Sequence, residues 1–305
     1  MIDLRRLRVL REVHVRGTLH AAAQALGYTP SAVSQQLATL EREIGTPLLE
    51  RVGRNVRLTE AGRVLVRHAD ALLEGADAAA SEVAAVAAGR LAGPVRVAAF
   101  QSAFLRIVAP AVRGLADRHP AIRVEATEAE VEQAVPELRL HQLDVLVGDE
   151  YEAQPRALHP GLQREVALRE RIRIVLPADH ALASAERIRL AELADLPWAV
   201  CQPGTGHHEM HLRACRQIGG FEPDVRYTSD DFLILLEMVR TTGAGALLPD
   251  LVVGYEAPGV VARPFASGGV GREVFLLTRQ ARTPTVDAVV EQLREAAVAA
   301  ARRLG

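Results

Sequence analysis

The chain has 305 residues, 49% of them apolar and 24% charged, with a formal net charge of −2. That length supports two or three domains with ample core, and the balance excludes a disordered chain and a globally basic nucleic-acid coat. No apolar run is long enough to cross a membrane and no secretory leader is visible. The two cysteines, Cys201 and Cys215, form no disulfide framework, so a reducing cytoplasm is the expected compartment.

Lysine is absent, and all 36 basic side chains other than histidine are arginines, which reads as coding bias rather than chemistry. Residues 1–60 carry nine arginines against six acids, a mildly basic head on a mildly acidic body. Leu4, Leu7, Leu10 and Val13 set a first amphipathic helix. Residues 18–40 then read as two short helices joined by a tight turn. Ala21, Ala22, Ala23, Ala25 and Leu26 make a small-residue helix that another helix can approach closely, and Gly27 suits the left-handed conformation that ends it. Thr29 suits the cap of the next helix and Pro30 its first position, where no backbone donor is needed. Val33, Leu37, Leu40 and Ile44 recur at helical spacing and face inward, which leaves Ser31, Ser34, Gln35 and Thr39 outward. Hydrogen-bonding side chains on a helix supported from behind are what a helix-turn-helix needs to read major-groove edges. An ordinary helical hairpin is the competing reading.

Residues 48–58 predict two short strands about a turn at Gly53. This would be a wing on which Arg51, Arg54 and Arg57 meet phosphates or enter a minor groove. A solvated surface hairpin is the alternative. Thr59 is the expected N-cap of a helix that runs to about Ala88, with an apolar stripe from Val64 and Leu65 to Val83 and Val86. About thirty residues of helix span about 45 Å. Such a stripe without an obvious core of its own suits dimerisation, against the alternative of a helix lying on its own domain.

Beyond Pro94 the pattern alternates. Strands are predicted at 95–99, 122–126, 143–148, 172–176, 198–200, 246–248 and 273–277. Helices are predicted at 102–119, 131–141, 190–193, 207–218, 231–241 and 286–303. This is an α/β pattern with a parallel-rich sheet. A break at 154–163 predicts two lobes, with a ligand crevice at the carboxyl ends of their strands.

Phe100, Gln101 and Ser102 follow the first strand of this region. Backbone donors at the helix start and the Ser102 hydroxyl would make an anion site there, and a simple N-cap by Ser102 is compatible with it. The second lobe repeats the arrangement with the turn from Gln202 through Thr205 and Gly206 to His207. Two helix starts facing one crevice favour a carboxylate-bearing effector. Asp149 and Asp230 would suit an amine if they reach the crevice, which points to an amino-acid-like ligand; Asp230 also reads as a plain N-cap. His207, His211 and Cys215 share a helix face and are conceivable metal ligands. Their spacing is not the zinc-protease pattern, and Cys215 reads better as a buried apolar contact, so no metal or cofactor is assigned.

Several stretches together resemble the LysR-type transcriptional regulators over essentially the whole chain. They are Ala22-Ala23 with Leu26, then Ser31-Ala32-Val33-Ser34-Gln35-Gln36-Leu37 with Leu40-Glu41, Gly45, Leu48 and Arg51, then Leu58-Thr59-Glu60-Ala61-Gly62. Leu143-Asp144-Val145-Leu146-Val147 and Gly243-Ala244-Gly245-Ala246-Leu247-Leu248-Pro249 are similar too, whereas Leu49 stands where the family often has Phe, a change expected to alter wing packing. The resemblance implies a winged helix-turn-helix over residues 1–60, a linker and dimerisation helix over 61–92, and an effector-binding domain over 93–305 like periplasmic binding proteins. Lobe I would cover about 93–160 and 268–305 and lobe II about 164–263, with crossings near 158–164 and 262–268. It further implies a homodimer or homotetramer on double-stranded promoter DNA, a small-molecule effector, RNA polymerase as a further partner, and no enzymatic activity. The rival is a solute-binding receptor or metal-dependent enzyme on the two-lobed fold. The residues show no nucleophile–base set, paired carboxylates or phosphate loop in supporting context.

Overall fold

The computed structural model describes residues 2–52, 55–88, 91–157, 159–253 and 258–303. Arg54 lies outside the described residues, and so does the side chain of Arg51. The head is formed by helices α1 (Leu4–Arg16), α2 (Leu19–Leu26) and α3 (Pro30–Ile44), followed by a hairpin of β1 (Leu49–Val52) and β2 (Asn55–Leu58). Its helix ends follow from local chemistry. Asp3, Thr18 and Thr29 each accept a hydrogen bond from a first-turn amide of the helix they precede. Gly27 stands at φ 67° after α2, a left-handed conformation that turns the chain toward α3. Leu7, Leu10, Ala22, Val33, Leu37 and Leu40 close the head's core. Each such leucine contributes about 1.5–3 kcal/mol by burial.

Helix α4 (Glu60–Ala88) leaves the head, capped by the Thr59 hydroxyl, which accepts from the Gly62 amide at 3.0 Å. It packs on α1 through Val66, Ala69 and Leu73, while Val64, Leu72 and Val83 stay exposed.

The body follows in the order β3 (Gly93–Ala99), α5 (residues 101–118), β4 (Ile122–Glu128), α6 (Val131–Arg139), β5 (Val145–Tyr151), β6 (Leu162–Pro177), β7 (Pro197–Val200), α7 (Gly206–Ala214), β8 (Asp224–Thr228), α8 (Phe232–Thr242), β9 (Ala246–Pro249), α9 (Asp250–Val253), β10 (Val260–Arg263), β11 (Gly271–Arg279) and α10 (Pro284–Arg303). Lobe I orders its strands β4-β3-β5-β11-β6, parallel from β4 to β5 and antiparallel beyond. Helices α5 and α10 cover one face and α6 the other. In lobe II, β6 runs between β10 and β9, and parallel strands β7 and β8 join through the Ala199 amide, which donates to the Gly245 carbonyl at 2.9 Å.

Three expectations are corrected. The sheet is mixed rather than parallel-rich, because the strands that return between lobes run against their neighbours. The expected break at 154–163 ends at residue 161, and the segment 162–171, to which no element was assigned, is strand. It carries little apolar alternation and is held by charge pairs on adjacent strands, such as Arg164 with Glu273 at 2.8 Å. The first crossing therefore falls inside β6, which pairs with β11 through Arg171 and with β9 from Ile172, well after the 158–164 expected. The second lies between the end of β10 at Arg263 and the start of β11 at Gly271.

Candidate functional site

Two surfaces carry the candidate residues. On the head, Thr29, Pro30, Ser31, Ser34 and Gln35 are all exposed, while Val33, Leu37 and Leu40 on the opposite face of α3 are buried. The Thr29 hydroxyl caps α3 and lies 3.0 Å from the Ser31 hydroxyl. Thr39 is half-buried and donates to the Gln35 carbonyl, so its hydroxyl is less available than its position suggests. Ser31, Ser34, Gln35, Ala38 and Arg42 follow one another along the exposed face. Arg42, overlooked in the reading of the motif, was findable seven residues after Gln35 on the same stripe. Tyr28, also exposed, sits in the turn before them. The wing is tied to this helix by Glu41, whose Oε1 accepts from the Leu48 and Leu49 amides at 2.8 and 3.1 Å. Arg57 pairs with Glu50 at 2.7 Å across the hairpin and stays largely exposed.

The second surface is the crevice between lobes, where β3, β4 and β5 from one side and β7 and β8 from the other end. Its floor is a cross-strand row. Arg272 on β11 lies opposite Tyr151 on β5 and Glu170 on β6. The Arg272 side chain is 1% exposed and that of Glu170 is fully buried. Nε and Nη2 of Arg272 donate to Glu170 Oε1 at 2.8 and 2.6 Å, Nη1 to Asp149 Oδ2 at 3.2 Å, and Nη2 to the Ser102 hydroxyl at 3.0 Å. Its guanidinium also lies 4.8 Å from the centroid of the Phe100 ring. Burial works against the charge, but Glu170, Tyr151 and Asp149 hold the Arg272 pKa above its ordinary value. A cavity of about 760 Å³ opens beside this row against Tyr151, Glu170 and Arg272, but it extends toward Arg169, Arg171, Arg173 and Asp250, and none of Phe100, Gln101, Ser102, Asp149, Gln202, Thr205, Gly206, His207 and Asp230 lines it.

Ser102 is therefore a buried partner of Arg272 and not a cap; the N-cap position of α5 belongs to Phe100, which makes no side-chain cap bond. Gln101 bridges the lobes. Its Nε2 donates to Asp231 Oδ1 at 2.6 Å, and its Oε1 accepts from the Phe232 amide at 2.8 Å. The cap of α8 is Asp231, which accepts from the Leu233 amide, rather than Asp230. Asp230 is exposed and accepts from the Gln202 amide at 2.9 Å. Thr205 caps α7 and donates to the Gln202 carbonyl, and Gly206 packs near Tyr151 and Arg156.

The histidines are structural neighbours. His207 is buried, with Nε2 2.7 Å from the Leu247 carbonyl and its ring against Phe232 and Tyr151. Burial first, then nearby Arg272 and His208, lowers its pKa to about 3 despite that hydrogen bond, so it stays neutral. His211 and Cys215 are fully buried, and among the described residues no three His, Cys, Asp or Glu side chains converge as a metal site.

Glu130, at the start of α6, is a crevice group that sequence reasoning did not single out. Burial, and then Asp149, Glu132 and Asp230, push its carboxyl up to about 7, with Arg272 opposing. Glu130 on lobe I thus shares a field with Asp230 on lobe II. Arg272 is already matched by Glu170 and Asp149.

A helix-turn-helix head, a long connecting helix and two α/β lobes about a crevice define a ligand-responsive DNA-binding protein. The family models agree. The bacterial regulatory helix-turn-helix of the lysR family matches residues 4–63, and the LysR substrate binding domain matches residues 88–298. The chain belongs to the LysR family of transcriptional regulators. It is 30% identical over 277 residues to a probable hydrogen peroxide-inducible genes activator of Mycobacterium avium, covering 90% of this chain and 86% of that one. It also shares its fold with full-length OxyR from Pseudomonas aeruginosa (TM-score 0.60, 22% identity, 97% of this chain and 100% of that one). Full-length CbnR in complex with its target DNA is a further structural relative (TM-score 0.55, 22% identity, 97% and 100%). Among the described residues no helix is long and apolar enough to cross a membrane.

Proposed function

We propose that this regulator binds promoter DNA in the cytoplasm as a dimer or tetramer, without enzymatic activity, and responds to a small amine-bearing effector in the interlobe crevice. The observation that carries the DNA reading is the polar exposed face of α3, backed by a closed apolar core. Ser31, Ser34 and Gln35 then read base edges, Thr29 and Pro30 set the helix entry, and Arg51, Arg54 and Arg57 contact phosphates. The exposed apolar side chains of α4 support pairing of two chains through that helix. An unbiased selection from genomic fragments tests the reading: a defined, interrupted palindromic site is expected, and no preference for any fragment would overturn it. On that site, Gln35→Ala should lose about 1–3 kcal/mol of discrimination between the cognate base and its alternatives. Binding to scrambled DNA should stay unchanged in a competition gel shift.

The charge balance of the crevice favours a cation over the carboxylate expected from the helix starts. Ser102 is engaged by Arg272, Arg272 is neutralised by Glu170 and by Asp149, which Arg156 also holds, and Glu130 and Asp230 remain. A peroxide-sensing role like that in the mycobacterial relative's name is not favoured here. Burial raises the thiol pKa of Cys201 well above normal and that of Cys215 to about 12, so neither offers the thiolate that reacts.

Glu130 supplies a pH test. Its folded pKa of about 7 lies above its ordinary value of 4.5, so the stability it contributes is present below 4.5 and lost as pH rises through 7. Glu130→Gln should therefore raise the melting temperature at pH 8 and change it far less at pH 5. A diamine or amino acid should stabilise the wild type more at pH 8 than at pH 6, whereas simple carboxylates should not. Equal stabilisation by both classes would remove the amine assignment.

A further inference from the structure

The joint where the head, α4 and lobe I meet encloses a cavity of about 590 Å³. Five arginines line it against three acids. The arginines come from distant elements: Arg8 and Arg11 from α1, Arg96 from β3, Arg279 from the end of β11, and Arg282 just beyond it. Asp144 answers two of them, at 3.2 Å from Arg96 and 2.8 Å from Arg279. Arg282 pairs with Asp287 at 2.8 Å, and among the described residues Arg8 has a 3.8 Å contact with Asp77.

Arg11 is the unusual member. It is 1% exposed, and one of its Nη2 hydrogens is donated to the Leu140 carbonyl of lobe I. Among the described residues its Nε and Nη1 have no hydrogen-bond acceptor, and the Asp70 carboxylate stands 3.9 Å from Nη1. Leaving charged donors buried and unpaired costs free energy, so folded proteins rarely keep them without an occupant. The field at this spot is positive. Arg279, Arg11, Arg8 and Arg96, after burial, all lower the pKa of neighbouring His141, to about 3.

Guanidiniums present planar forks that match the oxygens of a phosphate. The cavity has room for more than the ion itself. We infer that the joint between reading head and lobe I is a binding site for a phosphate-class oxyanion, free or carried on a small metabolite. Such a ligand bridges α1 to lobe I, so its occupancy holds the head in one orientation on the body. This site lies apart from the interlobe crevice and does not depend on the effector assigned there.

The test is thermal melting of the full-length protein in sodium phosphate, in a sugar phosphate monoester such as ribose 5-phosphate, and in sodium nitrate at matched ionic strength. Both phosphates are expected to raise the melting temperature saturably by several degrees, and nitrate is not. A lower half-saturation for the monoester identifies a phosphorylated metabolite; equal values identify the free ion. Arg11→Gln should abolish the rise. Because Arg11 is buried, the double variant Arg8→Gln, Arg96→Gln, whose side chains are 49% and 41% exposed, provides the folded control. It should weaken half-saturation by about tenfold or more. No saturable rise over nitrate, or wild-type half-saturation in the double variant, overturns the proposal.

Discussion

Arg272→Met is expected to lower the melting temperature of the body by on the order of 10 °C. The substituted side chain fills similar space, so the loss is electrostatic. Glu170 would keep its buried place without the cation that faces it, while Asp149 would keep Arg156 at 3.3 Å. Breaking a buried ion pair by deleting one member costs about 3–5 kcal/mol, because an uncompensated charge is left behind. Glu170 cannot turn away, since its other oxygen accepts the Leu251 amide at 2.6 Å and so anchors α9 to β6. The row also joins both lobes near the point where β6 passes from one to the other, so the effector response should fall with stability. The double variant Arg272→Met, Glu170→Gln separates charge from shape. It should recover a large part of the lost melting temperature in a double-mutant cycle. If the single variant melts like the wild type, the row is not a structural ion network.

Gly62→Ala should destabilise the linker helix and head, although alanine ordinarily stabilises a helix by about 1 kcal/mol relative to glycine. A Cβ at residue 62 would stand 2.1 Å from the Leu48 carbonyl oxygen. That oxygen cannot retreat easily. The Leu48 amide is held by Glu41, the Leu48 side chain is 1% exposed in the head core, and the carbonyl itself accepts the Thr59 amide at 3.0 Å. The clash should cost about 1–3 kcal/mol, the range typical of overpacking, and shift the wing away from α3. Melting of the head and DNA affinity should fall together. Gly75→Ala in the same helix meets nothing within 4 Å and should be neutral or slightly stabilising. Equal effects of the two substitutions would show that helix propensity, not the approach of β1, decides.

The Gly62 case shows where sequence reading stops. The motif Leu58-Thr59-Glu60-Ala61-Gly62 was legible as a helix start, and Thr59 does cap α4. The reason for the glycine is a carbonyl fourteen residues earlier, brought close only by folding. The wing was likewise legible as a hairpin, but its attachment through Glu41 was not. In the crevice, the chain positions of Phe100, Gln101, Ser102, Asp149, Thr205 and His207 were read from strand ends and helix starts. Their roles diverge in the folded molecule: Ser102 and Asp149 face Arg272, Gln101 spans the lobes, Thr205 caps, and His207 packs.

From the sequence alone came the helix-turn-helix, the polar exposed face of its second helix, the long linker and the alternating α/β body. Those features rest on signals within a few residues: caps, left-handed glycines and a 3.6-residue apolar period. Only the tertiary structure decided which buried charges meet. Arg272 finds Glu170 from 102 residues away, and Arg11 reaches lobe I from 129 residues away. Neither pairing leaves a local trace, because an ionised side chain in a strand or helix looks solvent-facing until a distant element removes the water around it.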